Sequence, residues 1–487
     1  MSRFIQEDEF RSIYQELRNS FASNKTKDIR WRKWQLKQLF WMMDENEDAL
    51  VAAMKEDLHR HAFETLSFDI SDVKNTVLDM LKNIDKWVKG APPPSAGFFF
   101  RHVGNAWVRK EARGVVLVIG AWNYPLSTLL SVAAAAIAAG NCVILKPSEI
   151  ASQTEALLAN LVPKFLDPTT ISLIRADPNA MQRVLEYKFD FIFYTGSTRV
   201  GRIIAEAAAK HVTPTALELG GLAPAIVGKT ANVDLAAKRL VAAKLTNLGQ
   251  ICVCVNHVFV DPAVHDELVA RLVYWTDHFC KDDGLSGLAR MVTDRHFDRL
   301  HSLLQYTSGK LVYEGPHSRK DKLIHPTIVT EVTLEDALLS EELFGPVLPV
   351  IKNTVPEVLS NLRNCPYPLA LYIFSNSSAE IDTILNSTNS GGVTINDIAA
   401  HPEVPSAPFG GVGDSGYGSY HGKWGFDTFS HNRTVVTVPS WVDRFTEWRY
   451  PPFNINNRSE TDAPRPSFKK GETLEDQEVS GWGCIVM

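Results

Sequence analysis

Between Val115 and Leu145 the chain reads strand, helix, glycine, strand, and no other stretch narrows the fold as much. Val115-Val116-Leu117-Val118-Ile119 is an unbroken apolar run of strand length, as a strand buried on both faces requires. Leu126 to Ala139 is alanine-rich and of helical length, and Gly140 stands where such a helix ends. Cys142-Val143-Ile144-Leu145 is a second buried strand. Gly140 and Asn141 interrupt the apolar stretch Leu129 to Leu145, so it reads as helix, turn and strand rather than a membrane span. Ile171-Ser172-Leu173-Ile174 and Phe191-Ile192-Phe193-Tyr194 continue the alternation, with helical stretches between them. Such alternation predicts an α/β fold with a parallel sheet covered by helices on both faces.

The 487 residues, 45% hydrophobic and 22% charged, are enough for a large core in two or three domains. A net charge of −6 carries no basic excess and argues against a nucleic-acid partner. Met1-Ser2-Arg3-Phe4-Ile5-Gln6-Glu7-Asp8 lacks an apolar signal core, which predicts a cytoplasmic protein without a leader. From Glu7 to Val88 the pattern is helical. There Lys25, Lys27, Arg30, Arg32, Lys33 and Lys37 interleave with Trp31, Trp34, Leu36 and Phe40. A basic membrane-surface helix is one reading; the expectation is a solvated basic face on a helix that packs through its aromatics. Ala91-Pro92-Pro93-Pro94-Ser95 breaks the helical pattern, and Phe98-Phe99-Phe100 with Trp107 predicts an extended segment or hairpin set apart from the first domain. A second apolar α/β region runs from about Thr215 to Pro408. From about Ser440 the chain turns polar and proline-containing, as expected of a poorly ordered or surface-draped tail. The six cysteines are too scattered for a disulfide scaffold, and Cys252-x-Cys254 with His257 is too small a set for zinc, so no metal is expected. Most read as thiols buried as small hydrophobes, which leaves Cys252 and Cys484 to explain.

Leu217-Glu218-Leu219-Gly220-Gly221 and Gly249-Gln250-Ile251-Cys252 offer a carboxylate and a thiol. A thiolate attacks a carbonyl carbon, and a carboxylate activates water against the resulting thioester. Glycines beside each keep the backbone slim where a ligand approaches. Trp122-Asn123-Tyr124-Pro125 follows a strand and places an amide where it can donate to an oxyanion. Lys146 and Glu149, at the end of another strand, suit ribose hydroxyls. Gly196-Ser197-Thr198-Arg199-Val200-Gly201 follows a strand and opens a helix, where free N–H groups suit a phosphate, although it matches neither a GxGxxG fingerprint nor a P-loop. Glu341-Glu342-Leu343-Phe344-Gly345-Pro346 puts acids and an aromatic before a turn, and Pro408 to Gly418 is glycine-rich enough to wrap a pocket. Each of these segments taken alone also fits a plain turn, cap or flexible connection.

Taken in order, the pieces resemble the aldehyde dehydrogenase superfamily from the N-terminal helices to Val438, and within it the class 3 branch that includes fatty aldehyde dehydrogenases. Tyr194-Thr195-Gly196-Ser197-Thr198-Arg199-Val200-Gly201 and the run Pro408 to His421 carry the class 3 likeness, as does a start almost directly at the first helices. The resemblance implies a fold of two α/β domains with open twisted sheets and a small bridging β element. It implies an NAD(P)-binding domain from residues 1–88 and 107–214, a catalytic domain over 215–410, a bridging and oligomerisation element from 89–106 and 411–445, and a polar tail over 446–487. It gives Cys252 the role of nucleophile, Glu218 that of general base and Asn123 that of oxyanion donor. It gives the cofactor Trp122, Lys146, Glu149, Gly196, Ser197, Thr198, Arg199, Val200, Gly201, Glu342 and Phe344, with Lys146 and Glu149 on the adenosine ribose, Ser197 a phosphate donor and Glu342 on the nicotinamide ribose.

The implied reaction is NAD(P)-dependent oxidation of an aldehyde, medium or long in chain, to the acid. NAD is the expected cofactor, with NADP accepted, because Glu149 repels a 2′-phosphate. A cluster of N–H groups or the cofactor's cationic ring is expected to lower the Cys252 thiol pKa. Leu222 stands where the family has lysine, and Cys254-Val255-Asn256 replaces the commoner Ala-Pro-Asp. A cysteine esterase without a redox step, a CoA-acylating dehydrogenase and a non-catalytic scaffold are the rival readings; a water-activating Glu218 speaks against CoA as acceptor. A homodimer is expected, with Phe98-Phe99-Phe100 as a surface in need of cover. Cys484-Ile485-Val486-Met487 reads as a prenylation box, which predicts farnesylation of Cys484 and, with Lys469-Lys470, reversible association with the cytosolic face of a membrane.

Overall fold

Five strands of the first sheet lie parallel, and their chain order reverses in the middle of the sheet. In the computed structural model, which describes residues 4–281, 284–460 and 473, the sheet runs Gly416–Tyr417, Thr215–Glu218, Phe191–Thr195, Val115–Ile119, Cys142–Lys146, Ile171–Leu173. Val115 lies opposite Cys142 and Val116 opposite Phe191; from Val115–Ile119 the chain builds outward to Ile171–Leu173 and then crosses back to the other side at Phe191–Thr195. Such a reversal leaves a crevice at the carboxyl ends of the strands, where α/β sheets take their ligands. The apolar runs that predicted these strands are buried throughout. The helix Val132–Ala139 has all eight residues buried, and Gly140 ends it in the left-handed region, φ 92°, donating to the Ile137 carbonyl at 2.9 Å. Alanines let this helix lie close to its neighbours: a Cβ at Gly425 would stand 3.0 Å from that of Ala135.

The second sheet runs Gly392–Ile395, Ala370–Phe374, Pro224–Val227, His257–Val260, Val347–Lys352, Thr327–Thr330, Lys310–Tyr313, all parallel except the last. The α/β class with two mostly parallel sheets is thus as the patterning predicts. Glu218 ends a strand of the first sheet and Pro224 begins one of the second, so residues 219–223 cross between them. The first sheet ends its strands at Lys146, Thr195 and Glu218, whereas Cys252 and Glu342–Gly345 lie just ahead of strands of the second.

Residues 1–88 and 110–431 form one compact unit containing both sheets. The expected boundary at 214/215 falls inside the first sheet: Thr215–Glu218 pairs in parallel with Phe191–Thr195, Ile192 opposite Thr215. Ala216 and Leu217 are buried on both faces, which a sheet interior supplies and a domain edge does not. Residues 411–431, expected in the bridging element, also belong to this unit. Gly416 pairs antiparallel with Glu218, and Phe426 and Phe429 sit in the core with Val132–Ala139. The bridging part begins only at Asn432.

The N-terminal helices are Glu7–Ala22, Ile29–Asp44, Glu47–Leu58 and Ser71–Trp87. Ile29–Asp44 packs mainly through Leu36, Leu39, Met42 and Met43 rather than through its tryptophans, and Trp34 is exposed. Arg32, expected on the solvated face, is buried and donates to the Thr26 and Ala138 carbonyls at 2.7 and 3.2 Å, because the helix C-terminus at Gly140 leaves carbonyls to be satisfied. Among the described residues no helix is long and apolar enough to cross a membrane.

The second unit comprises Lys89–Arg109 and residues 432–460. The strands Trp107–Ala112 and Ser430–Val435 pair as a two-stranded ribbon, within which the division between the units falls. Of the expected extended segment or hairpin, Trp107 opens a strand but Phe99–Val103 is a single wide helical turn, and the Gly104 carbonyl accepts the Thr437 N–H at 2.8 Å. Phe98 and Phe100 are exposed, as are Phe445, Phe453 and Ile455. Cys484, Lys469 and Lys470 lie outside the described residues.

Candidate active site

Cys252 follows a backbone segment of unusual shape. Asn247, Leu248 and Gly249 are all left-handed, with φ of 45°, 53° and 73°. Asparagine and glycine tolerate this region; leucine does not, and its cost is about 1 kcal/mol or more. Gly249 is required for a second reason, since a Cβ there would overlap the Gly345 carbonyl. The kinked segment delivers Cys252 to a partly buried position just ahead of the strand His257–Val260. The Cys252 and Val253 N–H groups are directed at its sulfur and favour the thiolate. Their effect on the thiol pKa has the expected direction but is outweighed. Burial first, then the charges of Glu342 and Glu218, push the thiol up to about 12.

Glu218 is 3% exposed, and neither of its carboxylate oxygens has a hydrogen-bond partner among the described residues. Burial therefore raises its pKa well above the usual carboxylate range. The glycine-rich stretch closes around it: Gly416 is its strand partner, and a Cβ at Gly410 would lie 3.2 Å from Oε1. Burial raises the Tyr420 phenol well above its usual range, and the charges of Glu218, Asp72 and Cys252 add to the rise.

Asn123, buried, leaves the carboxyl end of Val115–Ile119 and donates through Nδ2 to the Gln250 carbonyl at 3.1 Å. That carbonyl also accepts from Asn247 Nδ2 at 3.0 Å, while the Gln250 side chain donates to the Asn247 and Arg290 carbonyls and accepts from the Val292 N–H. Asn123, Glu218 and Cys252, far apart in sequence, thus converge where the two sheets meet.

The loop with Glu342 is held from four directions. Arg299 donates to the Glu342 and Leu343 carbonyls at 3.0 and 2.6 Å, Asn256 Oδ1 accepts the Leu343 N–H at 2.9 Å, and the buried Lys244 donates to the Gly345 carbonyl at 3.1 Å. The Gly221 N–H donates to the Glu342 carboxylate. Burial still pushes Glu342 up to about 7. Phe344, left-handed at φ 48°, meets Trp122 edge to face at 5.3 Å.

Lys146 and Glu149 form an ion pair at the carboxyl edge of the first sheet. Ser197 caps the helix Thr198–Ala209, accepting the Val200 N–H at 3.4 Å, and Ser197 and Arg199 are exposed beside it. A Cβ at Gly201 would stand 2.7 Å from Leu219 Cδ2, and one at Gly196 would overlap the Tyr194 hydroxyl. A helix N-terminus brought this close to a sheet edge that also carries the Lys146–Glu149 pair fits a dinucleotide.

Sequence reading missed several residues. Arg60 lies at the centre of the site's buried hydrogen bonds, but just past a helix end, where periodicity says nothing. Asn247 carried a signal, as an asparagine two residues ahead of a glycine. Cys365, expected buried, is exposed, and all five described cysteines are free thiols. Among the described residues no cluster of three or more His, Cys, Asp or Glu could hold a metal ion.

The family model for the aldehyde dehydrogenase family matches residues 3–435. Aldehyde dehydrogenase family 3 member B1 of Bos taurus is 39% identical over 92% of this chain and 96% of its own length. The mouse protein named aldehyde dehydrogenase, dimeric NADP-preferring, is 36% identical over 91% and 97%. A substrate-bound structure of AldH from Staphylococcus aureus superimposes with a TM-score of 0.85 at 31% identity, covering 90% of this chain and 98% of that one. With its two-sheet fold and a match that spans nearly its whole described length, the chain belongs to the aldehyde dehydrogenase family, an NAD(P)-dependent enzyme that oxidises an aldehyde to the carboxylic acid.

Proposed function

We propose that Cys252, Glu218 and Asn123 carry the oxidation, and that the substrate is an aliphatic aldehyde of medium to long chain. The observation that supports this most is a buried, unpartnered carboxylate close enough to a partly accessible thiol for its charge to raise that thiol. Cys252 Sγ, having lost its proton to solvent, adds as the thiolate to the aldehyde carbon. The negative charge that develops on the aldehyde oxygen takes hydrogen bonds from Asn123 Nδ2 and the Cys252 N–H. When bound, the nicotinamide supplies the hydride acceptor, which leaves a thioester on Cys252. Glu218 then takes a proton from water as that water attacks the thioester, and its raised pKa makes it a stronger base near neutral pH than an ordinary carboxylate.

Lys146 and Glu149 would hold the adenosine ribose, the turn Gly196–Gly201 with Ser197 the adjoining phosphate, and Glu342 with Phe344 and Trp122 the nicotinamide side. NAD is preferred and NADP accepted on this reading, because Glu149 brings a negative charge to the ribose. The mouse relative named NADP-preferring marks the alternative. An NADH-formation assay over aldehydes of increasing chain length, with and without CoA, tests the reading. Peak kcat/KM at six carbons or more and no dependence on CoA are expected. A peak at two or three carbons overturns the substrate class, and CoA dependence overturns Glu218 as the base.

On this reading residues 4–88 and 110–218 serve the cofactor and most of 219–410 serves catalysis. A homodimer would cover the exposed Phe98 and Phe100. Light scattering at micromolar concentration distinguishes it from a monomer. If Met487 is the mature carboxyl terminus, Cys484-Ile485-Val486-Met487 would be farnesylated and hold the enzyme reversibly at the cytosolic face of a membrane. Mass spectrometry of the native C-terminal peptide decides this, since an unmodified peptide retaining Met487 excludes it.

A further inference from the structure

Arg60 is the largest of the fully buried side chains, 1% exposed. Its guanidinium is spread over acceptors on three separate segments. Nη1 donates to Asp69 Oδ2 at 2.5 Å, Nε donates to Asn247 Oδ1 at 3.1 Å, and Nη2 donates to the backbone carbonyl of Asn123. The guanidinium carbon lies 4.5 Å from the centroid of the Tyr124 ring, over its face. Asp69, equally buried, is fixed in turn by the Ser127 N–H at 2.9 Å.

Both other acceptors belong to the machinery proposed above. Asn123 carries the amide assigned to the developing oxyanion. Asn247 opens the left-handed segment that delivers Cys252, and it is gripped on every polar group. Glu64 Oε2 accepts its N–H at 2.9 Å, Arg60 holds its Oδ1, and its Nδ2 donates to the Asn123 and Gln250 carbonyls at 3.2 and 3.0 Å. A buried ion pair is poor value as a stabiliser, because apolar replacements of similar volume are often neutral or better. A planar fork of five donors can bridge three acceptors at fixed angles, which a lysine ammonium cannot. What Arg60 uniquely supplies here is a fixed spacing between the Asn123 turn and the Cys252 loop.

We propose that Arg60 is a positioning residue for aldehyde oxidation: it clamps the turn carrying Asn123 to the loop carrying Cys252, so that the Asn123 amide is aimed at the oxygen on which charge develops. Arg60 touches no reacting atom and acts through Asn123 and Asn247. An amide nitrogen has two donors; the bond to Gln250 uses one and leaves the other for substrate. The inference rests on the reading of Asn123 as oxyanion donor.

The test is a double-mutant cycle on the full chain with Arg60→Met, Asn123→Ala and the pair. It reads the NADH burst rate with decanal per titrated Cys252, the Kd for NAD, and the isotope effect with decanal deuterated at the carbonyl carbon. Arg60→Met is expected to slow the burst roughly 30-fold or more, approaching the roughly hundredfold or greater loss of an oxyanion donor removed outright. The Kd for NAD stays within about threefold and the isotope effect on the burst rises, because hydride transfer becomes the slow step. The double variant is expected to be no more than about threefold slower than Asn123→Ala alone. A merely structural role lowers the titratable Cys252 content or cofactor binding and leaves the burst rate per site and its isotope effect unchanged, and that result overturns the inference. Multiplicative losses overturn it as well. If Asn123→Ala itself leaves the burst unchanged, the oxyanion reading fails and the inference with it; if Asn123→Ala slows the burst and Arg60→Met does not, the inference alone fails. Should Arg60→Met not fold, Arg60→Lys takes its place in the same cycle, with the same non-additivity required.

Discussion

Asn256 Oδ1 accepts the Leu343 N–H at 2.9 Å, and this one bond ties the segment behind Cys252 to the loop that carries Glu342. Asn256 is buried. Asn256→Ala would leave the Leu343 N–H buried without its acceptor, at a cost of about 1–3 kcal/mol. A lowered Tm is expected, together with a KM for cofactor that rises more than kcat falls. An unchanged Tm and KM would show that Arg299, Lys244 and the Gly221 N–H hold the loop without Asn256.

Glu342 adds to the rise of the Cys252 thiol. Its charge is the second cause, after burial, of the rise of Cys252 to about 12. Glu342→Gln removes a neighbouring negative charge, so the thiolate is stabilised and the thiol pKa falls. Alkylation of Cys252 by iodoacetamide, followed on its peptide by mass spectrometry, should then be roughly three- to tenfold faster at pH 8, since one pKa unit is a factor of ten. The gain must shrink below pH 6, because Glu342, held at about 7, is by then mostly protonated in the wild type. An equal gain at both pH values would mean that the substitution acts by loosening the loop.

Glu218→Gln makes two separable predictions. Kinetically, a burst of NADH followed by stalled turnover is expected, with the acyl-enzyme visible by mass spectrometry. Thermodynamically, the folded pKa of Glu218 is raised above its unfolded value, so its contribution to stability is full below pH 4.5 and is lost as pH rises toward the folded pKa. Glutamine does not titrate. The Tm of the variant relative to wild type should therefore increase between pH 5 and pH 8. A constant difference would mean that the carboxyl is solvated in solution.

Two thiols stand two positions apart, and they are not equivalent. Cys254 is buried, and its Sγ donates to the Ala243 carbonyl at 3.6 Å. Cys252→Ser should abolish dehydrogenase turnover while NAD still binds. Cys254→Ala should keep at least about a third of kcat, since it removes only a weak S–H donor. Loss of turnover in the second variant alone would reverse the assignment.

Removing the charge at Glu149 tests cofactor choice. Lys146 and Glu149 are paired at the sheet edge, and Glu149 is the acid that a 2′-phosphate would meet. Glu149→Gln should raise the ratio of kcat/KM for NADP to that for NAD by about tenfold, equivalent to about 1.4 kcal/mol. A ratio that does not move places the discrimination elsewhere.

What the sequence by itself determined follows from local pattern. Val115–Ile119 and Cys142–Lys146 are apolar without alternation because both their faces are covered, and Gly140 ends the helix between them because it takes a left-handed conformation at little cost. Glu218, Cys252, Asn123, Lys146 and Glu149 were legible as candidates, since each stands at the end of a strand or inside a glycine-flanked motif. What only the tertiary structure decided depends on groups brought together from distant segments. Thr215–Glu218 joins the first sheet rather than the second, because register with Phe191–Thr195 buries Ala216 and Leu217 on both sides. Arg32 is inside because carbonyls near a helix end need donors. The Cys252 thiol is raised rather than lowered because burial and two carboxylates outweigh the backbone N–H groups aimed at its sulfur. Arg60 reaches Asp69, Asn123 and Asn247 across three segments, and no periodicity encodes that bridge. Strand and helix are set by neighbours along the chain, whereas desolvation and charge are set by neighbours in space.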